Sequence, residues 1–252
     1  GVWSLAEALS YTKGGLWPTT GSISRALFAG GEISSAVNTI NYVDTATTGN
    51  FLDFGDLTAV AYKGAAVGYS VRSIFAHGNG TNVLSFVTPQ STGNSTDFGN
   101  LNGNNNEFGG TSNSTLGLFL GGSGRVTRVD RITMTSAGNA GDFGDLNIGV
   151  EKPAGFASPT RAVCSAGDDD SSNNSIDFAT IASTGTFADF GDSTVSRGND
   201  PAGLSTNIRG VTAGGGATNS IDYVTISTTG NATDFGNLSV NASYGPAGTS
   251  GG

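Results

Sequence analysis

One cysteine, Cys164, and one histidine, His77, in 252 residues leave no second thiol for a disulfide and no Cys/His cluster for zinc or copper. Packing alone must hold this chain together. Basic residues are also scarce: 11 Lys plus Arg against 20 Asp plus Glu give a net charge of −9. That balance argues against partners gripped by neutralising phosphates or anionic lipid, so nucleic acid is not an expected partner. No apolar run approaches membrane-spanning length, and residues 1–20 lack the basic-then-apolar order of a signal peptide, so neither membrane insertion nor a leader is expected. What is abundant is glycine, at 41 residues, with only 12% of the chain charged and 36% hydrophobic. Strands that bury alternate residues, joined by Gly/Asn turns, satisfy such a composition where helices do not.

A repeat organises the chain. Asp-Phe-Gly recurs as Asp53-Phe54-Gly55, Asp97-Phe98-Gly99, Asp142-Phe143-Gly144, Asp189-Phe190-Gly191 and Asp234-Phe235-Gly236, with successive Phe residues 44, 45, 47 and 45 apart. Three more segments keep step with it. An apolar run ends in glycine (Arg25 to Gly31, Arg72 to Gly78, Leu116 to Gly122, Arg161 to Gly167, Arg209 to Gly215). An alternating, β-branched run follows, as in Thr39 to Val43 and Ser220 to Ile226. The last is the stretch after each signature, such as Thr58 to Ser70. Period-two patterning bounded by Gly and Asn predicts about four strands per unit.

The expected fold is therefore all-β, a five-bladed β-propeller with four-stranded blades over residues 23–252, in repeats of about 24–70, 71–113, 114–158, 159–205 and 206–250. Ser239 to Ser250 repeats the post-signature segment with no Gly-Gly strand after it, and the first copy has its Gly-Gly strand without a matching segment before it. The C-terminal segment is thus expected to complete the first blade and close the ring, leaving no open sheet edge. A solenoid would use shorter coils, and a lone sheet of this size could not bury its face. Residues 1–22 lie outside the repeat and read as an arm with a short helix capped by Ser4, with Trp3, Leu5 and Trp17 as apolar anchors that pack on the propeller or on another subunit.

The order of apolar strand, Gly pair, variable turn and a strand with a central aromatic (Tyr42, Phe86, Phe178, Tyr223) resembles the Kelch repeat. The resemblance implies close packing of inner strands at the Gly pair and aromatics between blades. The chain departs from it in placing Asp-Phe-Gly where that repeat has a Trp-containing strand, and in imperfect pairs such as Ala76-His77-Gly78 and Ser165-Ala166-Gly167. The wording of Ser220 to Leu238 is similar to repeats in structural proteins of tailed phages, marine and cyanobacterial ones among them, and Gly1-Val2-Trp3-Ser4-Leu5 with Leu16-Trp17-Pro18 is similar to a segment of such virion proteins.

Little in the chain suggests catalysis. His77 has no partner His or Cys, and Cys164 sits in an apolar strand. The five signature Asp residues raise the paired carboxylates of a glycosidase, but a residue repeated by symmetry is better explained as a turn cap that accepts backbone N–H bonds. Phe54, Phe98, Phe143, Phe190 and Phe235 are then blade-to-blade core residues. Asp168, Asp169 and Asp170 form a candidate Ca²⁺ set, a solvated turn being the alternative; no other cofactor is expected. Arg125, Arg128 and Arg131 are read as a basic stripe on one strand, either suited to acidic neighbours in an assembly or a solvated edge. The resulting expectation is a non-enzymatic virion structural protein, a tail-fibre, adhesin or capsid-decoration module. Its variable turns at 32–38, 79–82, 123–128, 168–174 and 216–219 would meet other virion proteins, further copies or a host-surface glycan. A bacterial surface or secreted carbohydrate-binding propeller is the alternative, and a glycan-active hydrolase on a propeller scaffold a weaker one.

Overall fold

The computed structural model describes residues 25–32, 34–169 and 173–242, and these form a five-bladed β-propeller. The first sheet contains β1 (Arg25–Ala29), β2 (Val37–Asp44) and β3 (Leu52–Ala61). The second contains β4 (Ala65–Tyr69), β5 (Arg72–Ala76), β6 (Thr81–Val87) and β7 (Thr96–Asn105). The third contains β8 (Gly109–Ser112), β9 (Leu116–Leu120), β10 (Arg128–Thr133) and β11 (Gly141–Asp145). The fourth contains β12 (Ala154–Ala157), β13 (Arg161–Ser165), β14 (Ser175–Thr180) and β15 (Ala188–Asp192). The fifth contains β16 (Ala202–Ser205), β17 (Arg209–Ala213), β18 (Thr218–Thr225) and β19 (Thr233–Ala242). Every pairing is antiparallel between sequence neighbours, and β4, β8, β12 and β16 pack on one another as the inner strands.

Sequence repeat and blade are out of phase. β4 ends the first repeat in sequence but pairs with β5 of the second blade, and the same step recurs at β8, β12 and β16. In the first blade β1 occupies the position of β5, so its inner strand is not among the described residues. Of the segment expected to supply that strand, residues 239–242 extend β19 along β18, and 243–250 lie outside the described residues, as do the arm and its candidate anchors Trp3, Leu5 and Trp17.

Asp-Phe-Gly is a β-bulge. In the first blade Ile40 pairs with Gly55 and Asn41 with Asp53, which leaves Phe54 without a partner in the ladder. The same slip occurs at Leu84/Ser85, Val129/Asp130, Ile176/Asp177 and Ile221/Asp222. A bulge kinks the strand and re-aims the extra side chain, and here it sends the Phe sideways into the junction with the next blade. Phe54, Phe98, Phe143 and Phe190 are only 1–2% exposed. Phe98, for example, packs with Phe119, Ile132 and Met134 of the third blade, and Phe143 with Ala162, Cys164, Ile181 and Phe187 of the fourth. Phe235 departs from the expected core role: it is 54% exposed, because no described blade packs beyond β19.

The bulge also builds a backbone clamp. Phe54, Phe98, Phe143 and Phe190 each accept, at their carbonyl, the N–H of a turn glycine in the next blade (Gly93, Gly138, Gly185, Gly230) at 2.7–2.8 Å. The residue two positions after each Phe accepts a second N–H from the same turn, as in Ser95 to Asp56 and Phe187 to Asp145, both 2.7 Å. At three junctions an Asn closes the clamp: the N–H of Asp56, Asn100 and Asp192 donates to Oδ1 of Asn94, Asn139 and Asn231 at 3.0–3.1 Å. The signature Gly is required here. A Cβ on Gly144, whose φ is +137°, would lie 2.2 Å from the Gly185 carbonyl oxygen. On the same side as the signature Phe, which meets them edge-on at 5.6–6.0 Å, Tyr42, Phe86, Phe178 and Tyr223 carry Arg25, Arg72, Arg161 and Arg209 over their rings at 4.2–4.6 Å. The third blade exchanges these characters: Leu116 stands in the Arg position and Arg131 in the aromatic one.

Candidate functional site

Because the blades are alike where they clamp, side chains that differ at one equivalent position mark what this propeller does individually. The residue that opens each inner strand is such a position. Lys63, Glu107, Lys152 and Asp200 all adopt left-handed backbone, with φ between 45° and 58°, and each stands two residues before β4, β8, β12 or β16. Their backbones link around the axis: Glu107 N–H donates to the Lys63 carbonyl at 2.7 Å and Lys152 N–H to the Glu107 carbonyl. Four charges of alternating sign thus gather at one mouth of the propeller.

Glu107 is the hub. Its Oε1 lies 2.7 Å from Lys63 Nζ and 3.9 Å from Lys152 Nζ, and its Oε2 accepts from Ser123 Oγ at 3.1 Å. Burial works to raise the Glu107 carboxyl, but the Lys63 hydrogen bond, Lys152 and Ser123 together hold it below its ordinary value. The bond to Glu107 in turn raises Lys63. Lys152 Nζ also reaches Asn199 Oδ1 at 3.3 Å. Asp200 is raised, chiefly by burial and further by Glu107, against the opposing charges of Lys152 and Lys63. The mouth therefore presents a fixed carboxylate, two ammonium groups and one carboxyl that protonates more readily than an ordinary aspartate. Lys63, half-exposed beside Tyr62, faces outward. Such a ring offers donors and acceptors to a polar or hydroxylated ligand.

The turns between the second and third strands flank this ring. Asn106 Oδ1 accepts from Gly80 N–H at 2.7 Å, Asn106 Nδ2 donates to Ser123 Oγ at 2.9 Å, and Glu151 Oε1 accepts from Gly124 N–H at 2.6 Å. Asp168 exchanges backbone hydrogen bonds with Glu151 and pairs with Arg125 at 3.2 Å. Of the Ca²⁺ set, Asp168 is thus bonded to an arginine and Asp170 lies outside the described residues. Among the described residues no group of three or more His, Cys, Asp or Glu is placed to hold a metal ion. The basic stripe does not form. Arg125 lies in the turn, only Arg128 and Arg131 are on β10, and a separation of three residues turns those two to opposite faces. Arg128 pairs with Asp130 at 3.4 Å.

Among the signature aspartates the expected turn cap is seen only at Asp189, whose Oδ1 accepts from Gly191 N–H at 3.1 Å. Asp53, Asp97, Asp142 and Asp234 are exposed on the outermost strands, away from the inner strands, so the five carboxylates do not converge. His77 is buried and its Nε2 lies 2.7 Å from Ser85 Oγ; burial lowers its pKa and keeps it neutral. Burial likewise pushes the Cys164 thiol up, which makes it a poor nucleophile.

Two features escaped the sequence. Asp130, Asp177 and Asp222 are buried one residue before the aromatic position, and each accepts from the preceding blade, from Asn102 on its outer strand or from Asn147 and Thr194 just past it. Arg197, fully buried, donates to the carbonyls of Gly214 and Ser220 at 2.6 and 3.0 Å and pairs with Asp222 at 2.9 Å. The recurrence of Asp two residues after Ser175 and Ser220 was the available signal for the first. For Arg197 there was none, since no other repeat has an arginine there. No family model matches the chain, and no curated protein matches it.

Proposed function

We propose that this propeller is a non-enzymatic structural and recognition module of a tailed-phage particle, a fibre, adhesin or decoration component, that uses its charged mouth and the flanking turns to hold a virion partner or a host-surface glycan. The observation that carries this reading is the mouth itself: four blades that repeat one another at their clamps place Lys63, Glu107, Lys152 and Asp200 at one equivalent position, with signs that alternate. A symmetric scaffold with individual side chains around its axis suits recognition, whereas its repeated carboxylates are dispersed around the rim. The similarity of Ser220 to Leu238 to phage repeats supports the virion setting.

Two measurements test it together. Mass spectrometry of purified particles is expected to find the chain. The free protein on a glycan array, or on immobilised particle proteins, is expected to bind a ligand at least tenfold more weakly when Lys63→Ala and Glu107→Ala are combined. Absence from particles with retained glycan binding favours the bacterial surface module, and binding indifferent to both changes removes the mouth from the account.

A further inference from the structure

The end of the propeller opposite the charged mouth has an asymmetry of its own. There the inner and second strands are joined by the turns Ser70-Val71, Asn113-Ser114-Thr115, Ser158-Pro159-Thr160 and Thr206-Asn207-Ile208, none of which carries a charge. The last residue of each turn holds one equivalent position. The carbonyls of Thr115, Thr160 and Ile208 accept the N–H of Met134, Ile181 and Ile226, all at 2.9 Å, and Val71 precedes Arg72 as Ile208 precedes Arg209. In the third and fourth blades that residue is threonine. In the second and fifth it is aliphatic and uncovered, 41% exposed at Val71 and 70% at Ile208. In a ring of five, those two blades are the neighbours of the first.

Chain direction decides what reaches that place. β5, β9, β13 and β17 all begin at this end, and β1, which takes the same position in the first blade, begins there too, at Arg25. The chain therefore enters the first blade from this face, between the turns that carry Val71 and Ile208. What leads in is the arm of residues 1–22, which holds both tryptophans of the chain, Trp3 and Trp17, with Leu5, Leu9 and Leu16, and has Glu7 and Lys13 as its only charged side chains. Trp17 stands eight residues before Arg25, up to about 26 Å of extended chain. That is more than twice the ~10 Å between packed sheets, so the arm can lie over either adjoining blade. Its apolar side chains match uncharged turns with two uncovered aliphatic groups and do not match the charged mouth.

We propose that residues 1–22 dock on this end of their own propeller, where their tryptophan and leucine side chains cover Val71 and Ile208 and strap the first blade to its two neighbours. The covalent link at Arg25 holds the arm beside these turns at an effective concentration that a second copy in dilute solution does not reach, which favours this occupant over another subunit. The same docking covers the uncharged end and leaves the charged mouth outward, so the arm serves the fold and the mouth serves the partner.

Because both tryptophans lie in the arm, their fluorescence reports on it alone. Acrylamide quenching is measured on dilute full-length protein, on Val71→Asp with Ile208→Asp, and on Thr115→Asp with Thr160→Asp at the two equivalent turns, with a synthetic peptide of residues 1–22 as the free reference. All four positions are exposed, so far-UV circular dichroism should show the same propeller in the three proteins. Wild type and the threonine pair are expected to be quenched well below the peptide. In the Val71 and Ile208 pair the docking equilibrium should move towards the peptide by about tenfold or more, the order set by losing the burial of one such side chain. Peptide-like quenching of wild type overturns the proposal, and so does equal quenching of the two variant pairs. Protection that wild type loses on dilution overturns it in favour of a second copy.

Discussion

Replacing Arg197 with alanine is expected to destabilise the protein by about 3–5 kcal/mol, the range for breaking a buried ion pair by removing one partner. The side chain is fully buried, its guanidinium links the fourth blade to carbonyls on either side of the turn before β18, and its removal strands Asp222, itself 1% exposed. Removing the charge as well changes the outcome: Arg197→Met with Asp222→Asn is expected to recover much of the loss, because a neutral pair of similar volume leaves no buried charge. Acid adds a sign. Burial pushes the Asp222 carboxyl up, yet the bonds from Thr194 and Arg197 outweigh it and hold the group below its ordinary 3.8. Its favourable contribution is thus complete above that value and disappears as pH falls through and below it. The gap between wild type and Arg197→Ala, measured by urea unfolding, should narrow in that window.

Phe143→Ala is the second large effect, a loss of about 3–5 kcal/mol for truncating a buried aromatic in a junction that cannot collapse. Phe143 is 1% exposed, stacks edge-on against Phe187 at 6.0 Å and is walled by residues of two blades. The rigid bulge fixes its backbone on both sides, so neighbours cannot move in to fill the space. Leu146→Ala, in the same cluster, should cost about 2–5 kcal/mol. Thermal or urea unfolding of the two variants checks the size of both losses.

The blade plan was legible because it is periodic. Alternating strands, Gly-ended runs and Asp-Phe-Gly itself each appear five times, and an error in one copy is corrected by the other four. Even the burial of the signature Phe could be read in this way. What periodicity hides is any feature made by one copy alone. Arg197 is such a feature, and so is the alternation Lys63, Glu107, Lys152, Asp200, which no local motif announces because each residue finds its neighbours only after the inner strands meet. Symmetry also misled. A repeated Asp suggested a repeated cap, yet all five carboxylates are exposed and only Asp189 makes the cap, and the feature that repeats is the carbonyl of the Phe beside it. Arg125, Arg128 and Arg131 looked like a stripe only until the start of β10 at Arg128 was known.

The central claim is that Asp-Phe-Gly serves as a backbone clamp between blades, and the same chemical change at two glycines of the third blade tests it most directly. Gly144 receives the neighbouring turn, at φ +137° with a backbone oxygen 2.2 Å from its would-be Cβ; Gly138, on the donating side of the preceding clamp, would carry a Cβ that meets nothing within 4 Å and would keep the N–H that binds Phe98. Urea unfolding should show Gly144→Ala losing at least about 2 kcal/mol through backbone strain and displacement of the neighbouring turn, with Gly138→Ala within about 0.5 kcal/mol of wild type. Equal, small shifts at both positions would contradict the clamp.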